Sequence, residues 1–457
     1  MPGPCIRMEQ TMKTDVLIVG AGVAGLYCAL KLPKHKKIMI ITKSDLESSD
    51  SMLAQGGICM LKDESDYDSY FEDTMKAGHY ENDPKSVEIM IRTSPDIIED
   101  LVSYGVRFAR NLDGSLDFTR EGAHSQKRIL YHKDVTVKEI TTHLLDKTLQ
   151  KENVTFYEHT EMVDLICQDN TCYGAVLRMQ DGSFEKVEAD NVVLATGGIG
   201  GIYEHSTNFR SLTGDSLAIA IRHHIALEHA NYIQIHPTTF YTDKEEDRSF
   251  LISESVRGEG ALLYDKHMHR FTNELLPRDR LSEAIHKQME KDGTPFVWED
   301  LRPIGEVTLQ RHFPNIVEHC EKMGYDVFSE PIPVVPAQHY FMGGIQVDHE
   351  GRTSMKQLYA AGETACNGVH GKNRLASNSL LESLVWARRA ATLIALGAEI
   401  KKDPALIEET SFEPYQDMAQ WKEENITLVK EEIKRENNGR TPAIAYRKMA
   451  EPLSKAV

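Results

Sequence analysis

The residues with the plainest chemistry are glycines. Gly20-Ala21-Gly22-Val23-Ala24-Gly25 follows a short apolar run at 15–19 and precedes Leu26, Ala29 and Leu30 at helical spacing. In that spacing the first glycine makes a tight turn, the second lets backbone approach a pyrophosphate, and the third lets the helix pack closely. The helix N-terminus adds N–H groups and a partial positive charge. A β-branched run at 38–42 completes strand, glycine turn, helix, strand, the opening of a nucleotide-binding βαβ unit. The acid expected about 20 residues on to bind a ribose is absent, because Thr42 ends the strand and Lys43 follows it. This argues against a plain NAD site.

Three further segments call for a longer cofactor and point to FAD. Ser51-Met52-Leu53-Ala54-Gln55-Gly56-Gly57, directly after Asp50, puts small residues and an amide in a loop suited to a flat ring. Ala195-Thr196-Gly197-Gly198 follows a strand-like run, and Ala361-Gly362-Glu363 ends another. There is no second GxGxxG, so no site for reduction by a nicotinamide is evident, and electrons are expected to leave to another acceptor. Ser377, Asn378 and Ser379 are all good N-caps for a helix buried along Leu380, Leu381, Leu384 and Val385. The positive end of such a helix, facing the flavin, would stabilise the anionic reduced ring.

The elements that must position these residues read as follows. Residues 140–190 form a helix and then short strands with a turn at Asp181-Gly182. From about 230 to 340 charge and turn residues increase, with Pro237, Pro277, Pro295, Pro303 and Pro314, as in an inserted domain. The nucleotide-fold pattern returns at 358–363. After about 400 the chain reads as charged amphipathic helix, with Trp421, Ile426, Val429 and Ile433 at helical spacing. The expected division is 1–229 and 341–400 for the nucleotide-binding domain, 230–340 for the insertion and 401–457 for a helical segment.

The 52 Lys+Arg against 70 Asp+Glu give a net charge of −18, the opposite of a nucleic-acid footprint. An acidic substrate would therefore have to be caught by a local cationic pocket. The longest apolar stretch, 16–30, is too short to cross a bilayer, and the N-terminus lacks the apolar core of a signal peptide. The seven cysteines include no CxxC, so neither a disulfide framework nor a zinc site is indicated. The expectation is a cytoplasmic protein with no metal, no membrane and no nucleic-acid partner.

Nine ordered segments carry a resemblance: GAGVAG (20–25), SMLAQGG (51–57), TREGAHS (119–125), ATGGIGG (195–201), QIHPT (234–238), SESVRGEGA (253–261), LPRDRLSEAI (276–285), PAQHYFMGGI (336–345) and YAAGE with HGKNRLASNSLLE (359–382). Over roughly residues 14–395 the chain resembles the succinate dehydrogenase/fumarate reductase flavoprotein family, and within it the L-aspartate oxidases. The resemblance implies an α/β fold: a Rossmann-like FAD-binding domain interrupted by an α+β capping domain. The C-terminal helical segment is shorter than the family's usual three-helix bundle.

The implied chemistry is oxidation of L-aspartate to iminoaspartate by hydride transfer to flavin N5. Fumarate or dioxygen would be the acceptor, and the product would pass to quinolinate synthase at the start of de novo NAD synthesis. A soluble fumarate reductase is the alternative. The resemblance assigns the dicarboxylate to His236, Ser253, His339 and Arg374, with Gln234 and Ser377 beside them. It makes Arg278 the proton donor/acceptor and sets Glu121 against the amino group that succinate lacks. It assigns the flavin to Ala21, Gly22, Val23, Ala24, Lys43, Asp50, Ser51, Met52, Leu53, Ala54, Gln55, Gly56, Gly57, Asp215, Glu363, Ser379 and Leu380, to which the glycine turns and strand end add Gly20, Gly25, Thr42, Ala195, Thr196 and Gly197. Asp50 stands where succinate dehydrogenases carry the histidine that links FAD covalently, so non-covalent FAD is expected.

Overall fold

In the computed structural model the apolar run before the first glycine turn is a strand, Met12–Val19, with parallel neighbours on both sides. The structure describes residues 11–53, 56–132, 135–244, 247–397 and 404–439, so Ala54 and Gln55 of the flavin loop lie outside the described residues. Contacts divide the chain into two units. One takes in the chain up to Gly198, Gly214–Tyr232 and the chain from Met342; the other takes in Ile199–Thr213 and Ile233–Phe341.

Among the described residues of the first unit, seven strands make one sheet. Its order is Val154–Tyr157, Ile38–Ile41, Met12–Val19, Phe184–Leu194, Thr171–Arg178 and Glu161–Gln168, with Leu358–Ala360 also paired to Phe184–Leu194. Val16, Leu17, Ile18 and Ile40 are fully buried, as parallel strands covered on both faces require. Phe184–Leu194 is long enough to change partners. Its first half runs antiparallel to Thr171–Arg178, and Val192, Val193 and Leu194 run parallel to Leu358–Ala360. The turn expected at Asp181-Gly182 is present: Ser183 N–H donates to Asp181 Oδ1 (2.9 Å) and Gly182 has φ +84°. A second hairpin turn, Asp169-Asn170, takes two left-handed residues (φ 49° and 57°) without a glycine, a conformation that Asp and Asn tolerate.

Helix Val23–Lys31 leaves the glycine turn, and helix Asn378–Leu396 packs against it with twelve buried residues, among them Trp386. The last described helix, Met418–Asn437, is capped by Asp417 and buries Val429. The Arg222 guanidinium lies 3.9 Å from the centre of the Trp421 ring. No described helix is long and apolar enough to cross a membrane.

The second unit is an antiparallel sheet in the order Ile233–Phe240, Ile332–Phe341, Val297–Asp300, Leu262–Tyr264. Pro237 is tolerated because Ile233–Phe240 is an edge strand, and the register shifts between His236 and Thr239. Helix Arg278–Asp292 follows Pro277 and stops at Gly293 (φ +65°), a left-handed C-terminal stop. Its buried Leu281, Ile285, Gln288 and Asp292 form one stripe, and Arg278 sits on that stripe one turn earlier. Ile199–Thr213, read from sequence as part of 1–229, clusters with this unit instead. Ser206 bridges to Gln338 and donates its hydroxyl to Gln338 Oε1 (2.7 Å). These are polar contacts that no apolar periodicity announces.

His319 is stacked on Phe250 with ring centres 3.7 Å apart, and its Nε2 is buried without a hydrogen-bond partner among the described residues. Burial, with Lys322 and Arg248 nearby, pushes its pKa down to about 4. Between that value and the ordinary one near 6.5 the unfolded chain binds the extra proton, so stability rises with pH through this window and falls on acidification. His319→Phe should therefore raise Tm, and raise it more at about pH 5 than at about pH 8. An equal gain at both pH values in thermal unfolding would remove His319 from this role.

Candidate active site

The glycine turn shows why each glycine is needed. Gly20 has φ +117°, and a Cβ on it would overlap the carbonyl of Ala195. A Cβ on Gly25 would overlap the carbonyl of Gly20. The chain's own packing thus demands these two. Gly22, the N-cap of helix Val23–Lys31, would meet only Ser51 Oγ, at 3.4 Å. The space over Gly22 is therefore left open by the protein, beside a helix start with no acidic residue in its first turn. This is the cradle a pyrophosphate takes. Val23 N–H donates to Ser51 Oγ (3.3 Å), which ties Ala21–Ala24 to the short helix Asp50–Leu53 that carries Ser51, Met52 and Leu53.

The other expected flavin residues gather in the same unit. Lys43, after the half-buried Thr42, forms an ion pair with Asp215 at the start of helix Asp215–Arg222. Thr196 Oγ1 lies 2.6 Å from Ser216 Oγ and 3.1 Å from Thr364 Oγ1. Ser216 and Thr364 were not anticipated. Gly197 has φ +75°, and Gly198 leaves space that the Glu363 carboxylate occupies. Gly56 approaches Ser377, and Gly57 is pressed against Ile129 and Leu130.

Ser377 begins helix Asn378–Leu396, but its hydroxyl does not cap it. It adopts φ +63°, and Oγ donates to Glu121 Oε2 (2.7 Å). A left-handed, non-glycine residue carries strain that the surroundings must hold, and here a charge-assisted hydrogen bond does so. Asn378 does not cap either: its side chain accepts from Tyr70 OH (2.8 Å) and donates to Thr74 (3.2 Å). Glu382, one turn in, is buried, and burial lifts its pKa to about 8 despite hydrogen bonds from Asn367 and Ser383. A neutral acid there adds no negative charge of its own to the positive helix end. Arg374 is buried and donates from Nη1 to Ser379 Oγ (3.1 Å), beside Leu380.

The loop bearing Glu121 is anchored by Arg128, whose side chain is fully buried. Arg128 pairs with Asp66 (2.9 Å) and Asp73 (2.6 Å), and its Nη1 lies 3.0 Å from His124 Nδ1. Arginine can only donate, so Nδ1 accepts. The His124 Nε2–H then donates to the Ala376 carbonyl (3.0 Å). Burial lowers the His124 pKa, in keeping with this neutral ring. One buried cation thereby fixes a histidine tautomer that fastens the Glu121 loop beside Ser377.

The second unit brings together His236, His339, Arg278 and Gln234. His236 is buried; its Nδ1 lies 3.0 Å from the Thr238 carbonyl, and its ring crosses that of His339 edge-on at 5.5 Å. Burial, then Arg278, His339 and Arg257, hold its pKa well below the usual histidine range. His339 Nδ1 lies 2.8 Å from Thr207 Oγ1. Arg278 donates from Nε to Glu254 Oε2 (2.7 Å) and from Nη1 to Gln234 Oε1 (3.2 Å). Ser253 caps the helix Glu254–Gly258, accepting from Ser255 N–H (3.3 Å), which leaves its own O–H free to donate. Glu254 was not anticipated, although it lies inside SESVRGEGA; only the folded chain brings it to Arg278.

The chain matches the FAD binding domain family over residues 15–380. It is 48% identical over 399 residues to an L-aspartate oxidase of Clostridium perfringens, covering 87% of this chain and 90% of that one. It is 45% identical to one of Clostridium acetobutylicum, covering 83% and 87%. The chain belongs to the L-aspartate oxidase family. Its fold also matches an E. coli quinol fumarate reductase chain with TM-score 0.79 at 30% identity, covering 93% of this chain and 75% of that one. The cofactor of the family is FAD, and the open cradle at Gly22 suits its pyrophosphate. Among the described residues no cluster of His, Cys, Asp or Glu is arranged to hold a metal ion.

Gly22→Ala and Gly25→Ala should separate cradle from packing. Gly22→Ala should leave the apo Tm near that of the native chain while weakening FAD binding by about tenfold or more. Gly25→Ala should lower the apo Tm itself. Titration of the apoprotein with FAD, alongside apo melting curves, checks both; unchanged FAD affinity in Gly22→Ala would refute the cradle.

Proposed function

We propose that the protein oxidises L-aspartate to iminoaspartate, with fumarate or dioxygen as the terminal acceptor. The observation that carries this reading is the Glu121 carboxylate held by the Ser377 hydroxyl at 2.7 Å, an anion that an ammonium group needs and succinate does not. FAD, when bound, supplies the hydride acceptor. Arg374 offers its fork to one carboxylate of the substrate. His236, kept neutral, and His339 offer ring donors to a carboxylate, with the Ser253 hydroxyl a third donor. Gln234 holds Arg278 in place. Glu121 pairs with the ammonium.

Arg278 is the proton donor/acceptor in this reading. A guanidinium gives up its proton reluctantly, so the role needs a nearby base. Glu254 is that base: it accepts from Arg278 Nε, and its side chain is 42% exposed, which opens a route for the proton to water. Imines hydrolyse in water, so an enzyme of the quinolinate synthase class is the proposed consumer of the product. FAD is held without a covalent bond, Asp50 standing where a linking histidine would be.

Mixing with L-aspartate in the absence of oxygen should bleach the flavin absorbance, and mixing with succinate should not. Equal bleaching by succinate would overturn the reading in favour of a fumarate reductase. Acid precipitation should leave the yellow colour in the supernatant.

Glu121→Gln keeps shape and removes charge. Loss of one member of a buried, hydrogen-bonded charge pair costs about 2–5 kcal/mol, so kcat/KM for L-aspartate should fall by at least about tenfold while fumarate reduction is little changed. A parallel fall in both activities would make Glu121 structural. Arg278→Leu should retain FAD and lose both activities by about 10²-fold or more; a loss below about tenfold in both would remove Arg278 from the proton step.

A further inference from the structure

Outside the flavin and substrate motifs, Asp164 and Cys167 of strand Glu161–Gln168 meet His223, just past helix Asp215–Arg222. Cys167 Sγ lies 3.1 Å from His223 Nδ1, and His223 Nε2 lies 2.5 Å from Asp164 Oδ1. Tyr415 OH donates to the second oxygen of Asp164 (2.8 Å). The order thiol, imidazole, carboxylate is that of an activated nucleophile. Burial pulls the His223 pKa down, but the hydrogen bonds to Asp164 and Cys167 outweigh it and hold it at about 10. The ring is thus a cation facing the sulfur, the setting that makes a cysteine nucleophilic.

A second thiol stands directly across the ladder. Cys167 and Cys172 are register partners on either side of the Asp169-Asn170 turn, with Gln168 and Thr171 closing it. Cys172 N–H donates instead to the Lys356 carbonyl (3.0 Å), which marks Cys167 and Cys172 as a non-hydrogen-bonded pair. Such pairs place their Cα atoms about 4.5 Å apart with side chains on one face, within disulfide reach. Cys167 is half-buried, whereas Cys28, Cys59, Cys172, Cys320 and Cys366 are buried.

We infer that Cys167 is a peroxide-reactive nucleophile and that Cys172 resolves it into a cross-strand disulfide. In the first step the Cys167 thiolate attacks a peroxide oxygen. The S–O bond forms, the O–O bond breaks, and the departing hydroxide takes a proton from His223 to leave as water. In the second step the Cys172 sulfur attacks the sulfenic sulfur of Cys167. The S–S bond forms, the S–O bond breaks, and the hydroxide leaves with the Cys172 proton as a second water. Two thiols are oxidised by two electrons and one peroxide is reduced to two waters.

The test treats the FAD-loaded enzyme with equimolar hydrogen peroxide, then with an alkylating reagent, then trypsin. Residues 152–178 form one tryptic peptide holding both cysteines. That peptide should appear unalkylated and lighter by two hydrogens, and reduction should restore both alkylation sites. Cys172→Ser should trap a dimedone-reactive sulfenic acid at Cys167. His223→Gln should slow oxidation of Cys167 by about tenfold or more, with the flavin spectrum and Tm reporting that it is folded. A thiol that is merely exposed would keep its rate in folded His223→Gln, which would overturn the proposal. So would a wild-type peptide alkylated at both cysteines after peroxide, or one oxygenated at Cys167 with Cys172 still alkylated. Should His223→Gln not fold, the wild-type peptide mass decides.

Discussion

A guanidinium with no solvent-exposed side chain must be matched by charge, because an uncompensated buried cation is strongly destabilising. Arg128 is such a group, and its partners are distributed rather than adjacent. Asp66 and Asp73 neutralise it, the Tyr70 ring lies 4.9 Å away, and Ser69 and His124 accept its two remaining donors. The geometry that satisfies Arg128 leaves His124 no freedom of tautomer, and His124 in turn fixes the Ala376 carbonyl. The carboxylate of Glu121 is then presented to Ser377 at the start of helix Asn378–Leu396. The selectivity proposed for an amine substrate rests on a residue that touches nothing reactive. This is why Arg128, absent from every expected site, matters as much as the residues within it.

The net charge of −18 sets a second constraint. A dicarboxylate is repelled by most of the surface, so cations must be concentrated where it binds and kept from collapsing onto nearby acids. The protein does this with neutral groups. Burial lifts the Glu382 pKa to about 8, so this acid near the helix start adds little negative charge there. In the second unit Arg278 is tied to Glu254 through Nε, and Gln234, a neutral acceptor, holds Nη1.

The glycine segments were legible because they encode backbone geometry locally. The spacing of Gly20, Gly22 and Gly25 can be read as a turn, a cradle and a close contact without knowing what they meet. The same holds for the strands Ile38–Ile41 and Leu358–Ala360 and for the Asp181-Gly182 turn. What could not be read are features decided by partners distant in sequence. Ile199–Thr213 joins the second unit through hydroxyl and amide contacts that leave no periodic trace. Ser377 has the composition of a helix cap, and only the arrival of Glu121 from 256 residues away turns its hydroxyl to another acceptor. Asp169-Asn170 makes a hairpin turn without the glycine that would announce it.

The neutral state of His236 follows from the same reasoning. Its ring is buried among Arg278, Arg257 and His339, so a proton on it would add a cation to a group of cations in a region of little water. A neutral imidazole still orients a carboxylate through a hydrogen bond, but it adds no net charge to the grip. That difference matters for turnover. Interactions that bind substrate and transition state alike do not raise kcat, and an additional buried cation would hold a dicarboxylate product as firmly as its precursor. In the proposed reaction a neutral histidine retains orientation without adding its charge to those of Arg374 and Arg278. In that proposal Arg278 passes the proton through Glu254, which is hydrogen-bonded to its Nε and in touch with solvent.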